Sequence, residues 1–213
     1  MRLILVRHYK TQFNVSGRIM GWGDSPPADD WQQDMQFVTQ VLQQRSIHLD
    51  QVYSSVLARA QHTAEYFAQQ FAVADVHLAP QLNEINYGTL YGKPKAWAAT
   101  HYPLHKKDPD FIYPEGESFN QLLLRSVGFV KALAQSGGAQ TVLCVAHSGV
   151  VRALLSHFLD LNYSDHLRCK VTHRYIGLLD FDGPCCASYD EWGAPSGFVT
   201  EGTLALPYSR KIA

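Results

Sequence analysis

Two short apolar runs of this chain each end at a histidine. Residues 3–6 (Leu-Ile-Leu-Val) lead into Arg7 and His8, and residues 142–146 (Val-Leu-Cys-Val-Ala) lead into His147 and a Ser-Gly pair. A short apolar run bounded by polar residues is typical of a buried strand in a parallel sheet. In open α/β sheets, ligands bind just beyond the carboxyl ends of such strands. Both histidines therefore lie where chemistry is expected.

The rest of the chain alternates between helical and extended patterns. Apolar residues recur at helical spacing within residues 31–44, 57–67, 122–133 and 150–158. Runs at residues 52–55, 175–181 and 197–206 predict further strands, the last two around an Asp-Gly turn. Strands alternating with helices predict an α/β fold, a three-layer α/β/α sandwich with a mainly parallel central sheet. The 213 residues suit a single domain over residues 1–213.

Composition limits the classes of partner and compartment. A net charge of −1 gives no reason to expect nucleic acid or an anionic membrane as a partner. Four cysteines show neither metal-ligand spacing nor a disulfide framework, which favours a reducing compartment. The apolar run at residues 3–6 is too short for a signal peptide or a membrane span. We therefore expect a cytoplasmic enzyme acting on a small molecule, with no indication of its oligomeric state.

Three predicted strand-to-helix junctions carry cations or hydrogen-bond donors. They hold Arg7 with His8, Arg59 near the start of a helix, and His147 with Ser148. If their strands are neighbours, two arginines, two imidazoles and helix N-termini converge on one pocket. This combination suits a tetrahedral dianion, so a phosphate is the predicted guest.

The motifs of this chain, taken in order along nearly its whole length, resemble those of the histidine phosphatase superfamily. This superfamily includes phosphoglycerate mutases, fructose-2,6-bisphosphatases and α-ribazole phosphatase. The matching segments are Arg7-His8-Tyr9-Lys10-Thr11 with Asn14, Gly21 with Asp24, residues 54–64 around Arg59, residues 82–92 around Glu84, Pro114-Glu115-Gly116-Glu117-Ser118, and Ala146-His147-Ser148-Gly149 with Arg152. The resemblance implies a phosphoglycerate mutase-like fold and a phosphatase closest to the small members such as α-ribazole phosphatase.

The resemblance also implies roles for individual residues. His8 would be the nucleophile that forms a phosphohistidine, and Glu84 would be the acid and base for the leaving group and water. The phosphoryl oxygens would be bound by Arg7, Asn14, Arg59, His147 and Ser148. No metal and no cofactor is needed in this scheme. A metal site made of His8, His147 and Glu84 is not expected, because the two arginines would repel a divalent cation. A serine hydrolase is not expected either, because Ser148 does not lie in a Gly-x-Ser-x-Gly turn.

Several positions depart from the superfamily pattern. Tyr9 replaces the usual glycine after the nucleophile, Met20 replaces a glutamine, and Tyr91 replaces a glutamate; with Thr11 these are the candidate substrate contacts. The residues around Tyr91 are closer to the mutases, whereas the short connection to residue 114 favours a phosphatase. We therefore predict a phosphomonoesterase. The alternatives are a phosphoglycerate mutase-type phosphotransferase and a silent phospholigand-binding module in which Tyr9 blocks attack by His8.

Residues 93–113 form a connection rich in aromatic residues, which we call the cap segment. Long connections above a rigid sheet often set specificity, so we expect this segment to cover the pocket. Four lysines of this segment could flank the entrance to the pocket, but a solvated helix or loop face is the expected position: Lys93, Lys95, Lys106 and Lys107. Two further expectations concern its neighbours: Glu117 and Ser118 either cap a helix or face the substrate, and Arg152 pairs with a carboxylate.

Overall fold

A central sheet organises the protein in a computed structural model that describes residues 1–138, 141–166 and 169–193. Its six strands within these ranges are β1 (Arg2–Arg7), β2 (Gln51–Ser54), β3 (Val76–Leu78), β4 (Thr141–Ala146), β5 (Tyr175–Asp182) and β6 (Cys185–Gly193). The strand order is β3-β2-β4-β1-β5-β6. The first four run parallel, and β5 and β6 extend the sheet antiparallel at one side. The prediction of a mainly parallel sheet is confirmed.

Helices connect the strands. They are α1 (Gln12–Val15), α2 (Trp31–Gln44), α3 (Ala58–Gln70), α4 (Lys95–His101), α5 (Phe119–Gln135), α6 (Ser148–Phe158) and α7 (Tyr163–His166), with two short 3-10 turns at Pro80–Leu82 and Gly88–Leu90. Within the described ranges, none of these helices combines the length and apolarity that crossing a bilayer requires.

Alternation along β1 and β4 builds a core on each face of the sheet. Leu3 and Leu5 of β1 belong to one apolar cluster, whereas Ile4 and Val6 belong to the other. The first cluster includes the apolar faces of α5 and α6, and the second those of α2 and α3. Because side chains alternate in direction along a strand, a continuously apolar strand is buried on both faces. The result is the predicted three-layer sandwich.

The predicted elements agree with the structure except at the periphery. Helix α5 begins at Phe119, before the apolar spacing that starts at 122, because Ser118 caps it by accepting from the Gln121 amide at 3.2 Å. The strand predicted at 197–206 lies outside the described residues; the partner of β5 is β6, which the sequence did not indicate. Strand β3 was missed because it is three residues long at the sheet edge.

Candidate active site

The three strand-to-helix junctions meet at one edge of the sheet. Strand β4 lies between β1 and β2, and all three run parallel, so their carboxyl ends are adjacent. The His8 amide donates to the Ala146 carbonyl at 3.0 Å, and the Ser55 amide donates to the Val145 carbonyl at 3.3 Å. A cavity of about 280 Å³ opens beside this edge. Its walls include the predicted site residues Arg7, His8, Asn14, Met20, Arg59, Glu84 and Ser148.

His8 is a neutral imidazole with a defined tautomer. Its Nδ1 lies 2.6 Å from the Tyr9 carbonyl oxygen, which can only accept, so Nδ1 carries the proton. Nε2 is then left with a lone pair. Burial lowers the pKa of His8 well below its usual value, and the nearby His147, Arg59 and Arg7 lower it further. The ring is therefore kept in the form that can attack an electrophile.

A further histidine, His173, supports the backbone of His8. Its Nδ1 donates to the His8 carbonyl at 2.8 Å, and the two ring centroids are 5.6 Å apart. Burial, with the positive charge of Arg7, lowers the pKa of His173 to about 2. His173 is thus a neutral neighbour of the site. The sequence offered no partner for it because 165 positions separate the two residues.

Two arginines are held by backbone carbonyls next to His8. Arg59 is 1 % exposed and donates to the Gly21 carbonyl at 2.7 Å and the Gly23 carbonyl at 2.6 Å. Arg59 also pairs with the Asp24 carboxylate at 3.0 Å. Arg7 donates to the Val171 carbonyl at 2.7 Å, and burial lowers its pKa to about 10, so it stays charged at neutral pH.

Besides His105 Nδ1 in the cap segment, three buried side-chain nitrogens around His8 have no hydrogen-bond partner within the described part of the chain. They are the Nε atoms of Arg7 and Arg59 and the Nδ1 of His147. Buried polar groups are normally paired, since an unpaired one costs roughly 1–3 kcal/mol. Three such donors beside one histidine are a favourable arrangement for an anion with several oxygens.

Ser55 sets the tautomer of His147. The Ser55 hydroxyl lies 2.8 Å from His147 Nε2 and already accepts from the Leu57 amide at 3.2 Å. Nε2 is the acceptor that the described residues offer to the Ser55 proton, and a Ser55 hydroxyl that donates to Nε2 leaves the proton of His147 on Nδ1 as a donor. Burial, Arg59 and Arg7 lower the pKa of His147 well below its usual value. Ser55 is therefore part of the site, through its contact with His147.

The Glu84 carboxylate is held by main-chain amides at the cavity wall. Oε1 accepts from the Ile85 amide at 3.0 Å and Oε2 from the Gly149 amide at 3.3 Å. A Cβ at position 149 would lie 2.1 Å from Oε1, so the close approach requires glycine. The Glu84 carbonyl accepts from Trp22 Nε1 at 2.7 Å and from an Arg125 Nη at 3.0 Å.

Glu117 and Ser118 stabilise the structure and do not line the cavity. Ser118 forms a capping box with Gln121 at the start of α5. Glu117 pairs with Arg125 at 2.6 Å and accepts from the Asn86 amide at 2.8 Å. The question that the sequence left open is thereby answered in favour of a structural role.

Three of the four candidate substrate contacts lie away from the cavity, and only Met20 lines it. The Tyr9 ring packs in the core, its centroid 5.0 Å from that of Trp31. Thr11 is buried as the N-cap of α1. The Tyr91 hydroxyl donates to the Asp24 carbonyl at 2.7 Å. Because Tyr9 points into the core, the structure gives no support to a blocked nucleophile.

Several cavity residues were not predicted as contacts. Arg152 lines the cavity and donates from Nε to the Cys169 carbonyl at 2.9 Å, where the sequence predicted a carboxylate partner. Its position one helical turn after Ser148 is the signal that could have found it. The cap segment contributes Lys95, His105, Lys106, Asp108, Phe111 and Tyr113 to the walls. Lys95 and Lys106 are exposed to solvent, as expected, and they also lie at the cavity wall.

Comparison with known proteins identifies the family. The sequence model of the histidine phosphatase superfamily (branch 1) matches residues 3–189. The chain belongs to this superfamily. It is 29 % identical over 169 residues to a 2,3-bisphosphoglycerate-dependent phosphoglycerate mutase of Bartonella henselae, covering 75 % of this chain and 82 % of the mutase.

Other superfamily members similar to this chain are phosphatases. A metal-independent phosphoserine phosphatase of Arabidopsis thaliana is 31 % identical over 164 residues, covering 71 % of this chain and 66 % of that protein. The crystal structure of the α-ribazole phosphatase from Shigella flexneri superimposes with a TM-score of 0.77 at 25 % identity, covering 94 % of this chain and 100 % of that one. Members similar to this chain thus include both mutases and phosphatases.

Proposed function

We propose that the protein is a phosphomonoesterase that hydrolyses a small organic phosphate through a phosphohistidine on His8. The observation that carries the proposal is a neutral His8, its Nδ1 tied to a carbonyl, beside three buried donors without partners. A phosphoryl group next to His8 Nε2 would satisfy those donors. It would also bring the reacting phosphorus to Nε2, the nitrogen of His8 that has a free lone pair.

In the first step, the Nε2 lone pair forms a bond to phosphorus while the bond from phosphorus to the ester oxygen breaks. The departing oxygen takes a proton from the Glu84 carboxyl group and leaves as an alcohol. The Nε of Arg7, the Nε of Arg59 and the Nδ1 of His147 donate to the equatorial oxygens. Phosphoryl transfer depends mainly on such positioning and charge stabilisation.

In the second step, water attacks the phosphohistidine. The Glu84 carboxylate, now deprotonated, takes a proton from the water, the bond between phosphorus and Nε2 breaks, and inorganic phosphate leaves. His8 returns to its neutral form. The low pKa of His8 favours this cycle because Nε2 stays unprotonated and keeps its lone pair for phosphorus.

A mutase-type phosphotransferase is the second candidate, since a mutase is among the similar proteins. It would use the same phosphohistidine but pass the phosphoryl group to a second hydroxyl. The two candidates are distinguished by product. Incubation with 3-phosphoglycerate, with and without 2,3-bisphosphoglycerate, followed by phosphorus NMR, yields inorganic phosphate from a phosphatase and the 2-phospho isomer from a mutase.

The first experiment is hydrolysis of p-nitrophenyl phosphate in the presence of a chelator. We expect wild-type turnover to resist the chelator, and His8→Ala to lose at least ~10³-fold in rate. His62→Ala, at an exposed position on α3, is the matched control and is expected to keep full activity. An acid-labile phosphoenzyme is expected with the wild type and not with His8→Ala. Activity that survives in His8→Ala, or that disappears with the chelator, would contradict the proposal.

A further inference from the structure

One peptide group at the cavity wall is hydrogen-bonded at both of its ends. The carbonyl of Glu84 and the amide of Ile85 belong to one planar trans unit, so they point in opposite directions and turn together. The amide donates to Glu84 Oε1 at 3.0 Å, and the carbonyl accepts from Trp22 Nε1 at 2.7 Å. The position of the Glu84 carboxylate therefore depends on a peptide group whose other end is bound by Trp22.

Trp22 lies outside the cavity, so it does not act on a substrate directly. Its neighbours Met20 and Gly21 line the cavity, whereas Trp22 does not and is 48 % exposed. A single exposed aromatic residue is common at a protein surface and implies no function by itself. What distinguishes Trp22 is its bond to the candidate acid, 62 positions away in the chain. An effect of Trp22 on the reaction must pass through that bond.

The loop that carries Trp22, residues 21–24, is anchored on Arg59. The carbonyls on either side of Trp22, at positions 21 and 23, accept from Arg59 at 2.7 Å and 2.6 Å. The Asp24 carboxylate pairs with the same guanidinium group at 3.0 Å. Because Arg59 is buried at the start of α3, these three contacts fix the loop to the body of the protein. Trp22 thus donates from a fixed point.

The loop also packs closely against the acid segment, residues 84–91. A Cβ at position 21 would lie 3.1 Å from the Ile85 carbonyl oxygen, and a Cβ at position 23 would lie 2.1 Å from the Tyr91 ring. The Tyr91 hydroxyl donates to the Asp24 carbonyl at 2.7 Å. Tyr91, which stands where the superfamily pattern has a glutamate, is therefore a second contact between the loop and the acid segment.

We propose that Trp22 is a positioning residue for Glu84. By binding the carbonyl of the peptide group between residues 84 and 85, the indole N–H fixes the amide that holds the carboxylate. Without this bond the peptide group can turn, and the carboxylate moves away from the leaving oxygen. The proposal rests on the proposed function for the role of Glu84 as the acid.

The kinetic test compares two leaving groups. Nitrophenolate leaves without a proton, whereas phenolate is more basic, so phenyl phosphate is the more sensitive to the placement of the acid. For Trp22→Phe we expect kcat/KM to fall about tenfold with phenyl phosphate and less than about twofold with p-nitrophenyl phosphate. The loss is limited because Arg125 still donates to the Glu84 carbonyl at 3.0 Å. Equal losses with the two substrates would overturn the proposal.

Two further variants complete this comparison. Trp192→Phe removes a matched bond on β6, where Trp192 Nε1 donates to the Asp190 carboxylate at 2.7 Å, and should keep wild-type rates with both substrates. Glu84→Gln should lose about 10²-fold more rate with phenyl phosphate than with p-nitrophenyl phosphate. If only Trp22→Phe lacks the difference, this inference fails alone. If Glu84→Gln lacks it too, the acid role in the proposed function fails as well.

Hydrogen exchange tests the positioning without turnover. The Gly149 amide lies in the first turn of α6, where an amide has no partner within the helix, and it donates instead to Glu84 Oε2 at 3.3 Å. We expect it to exchange at least about fivefold faster in Trp22→Phe and at an unchanged rate in Trp192→Phe. The Val151 amide, bonded to the N-cap carbonyl of the same helix at 2.9 Å, is the internal reference. Equal exchange of Gly149 in the two variants, relative to Val151, would overturn the proposal even where hydrolysis is absent.

Discussion

At the scale of the residue, one neighbour determines the chemistry of each functional side chain. The carbonyl of Tyr9 fixes the proton of His8 on Nδ1, and the hydroxyl of Ser55 directs the proton of His147 to Nδ1. The amide of Gly149 holds one oxygen of Glu84. These contacts are specific enough that substitution of the neighbour alone should change the reaction.

Ser55→Ala removes the proton donor to His147 Nε2. We expect kcat to fall about tenfold, equivalent to about 1.4 kcal/mol in the barrier, because His147 no longer presents Nδ1–H to the phosphoryl group in every molecule. Nitrogen NMR of the His147 ring should show a mixture of tautomers. Ser54→Ala is the control, since the buried Ser54 hydroxyl donates to a main-chain carbonyl and does not contact His147. A single unchanged tautomer in Ser55→Ala would refute this role.

Gly149→Ala places a methyl group where the Glu84 carboxylate now lies. The carboxylate end can move, so the fold should persist, but a displacement of about 1 Å can cost about 100-fold in rate. We expect kcat to fall by that order with little change in thermal stability. Gly128→Ala in α5 meets nothing within 4 Å and should keep full activity, with a gain of up to ~1 kcal/mol in stability. Equal activity of the two variants would contradict the close approach.

At the scale of the element, α5 holds the segment that carries Glu84. Arg125 on α5 donates to the carbonyls of Gln81 at 2.7 Å and Glu84 at 3.0 Å while pairing with Glu117. The side chains of the pair are 20 % and 14 % exposed, so the pair is partly shielded from solvent. One helix thus fixes the main chain on either side of the candidate acid.

Arg125→Met breaks this connection and leaves Glu117 without its partner. We expect a loss of about 2 kcal/mol in the free energy of unfolding, less than the ~3–5 kcal/mol of fully buried pairs, and about a tenfold loss in kcat. Arg2→Met is the control, because its pair with Asp180 is about two-fifths exposed and worth less than ~1 kcal/mol. Urea denaturation and aryl phosphate hydrolysis measure both effects. Equal losses in the two variants would argue against a specific role for Arg125.

At the scale of the whole molecule, the site requires several neutral, buried histidines. The pKa values of His8, His147 and His173 are all lowered by burial, the last to about 2. Below the unfolded-state pKa of ~6.5, the unfolded chain binds protons that the folded chain does not, so stability falls as the pH falls. The stability that neutral histidines contribute is fully present above that pH.

We therefore expect the free energy of unfolding to drop by about 1.3 kcal/mol for each of the three histidines between pH 7 and pH 5.5, about 4 kcal/mol in all. Urea denaturation at several pH values measures this slope. His173→Asn removes one titrating ring but can keep a donor to the His8 carbonyl, and should reduce the slope by about a third. A slope that is unchanged in the variant, or flat in wild type, would show that these rings do not stay neutral on folding.

The sequence alone was enough to predict the central strands, two of the helices and four of the site residues. Apolar runs fixed the central strands, because a strand buried on both faces must be apolar throughout, and helical spacing located α2 and α3. The order of motifs led to Arg7, His8, Arg59 and His147, and the parallel sheet brings them together. These features depend on local periodicity and on residues next to strand ends.

Only the tertiary structure decided the remaining features. The bond of Tyr91 to Asp24 joins residues 67 positions apart, and the contact of His173 with His8 joins residues 165 positions apart. The direction of the Tyr9 side chain depends on its packing against Trp31 of α2. The cations of the cap segment face the cavity because the segment folds over it, which no local period specifies. The tautomers of His8 and His147 arise from contacts in space, and those contacts exist only once the chain has folded.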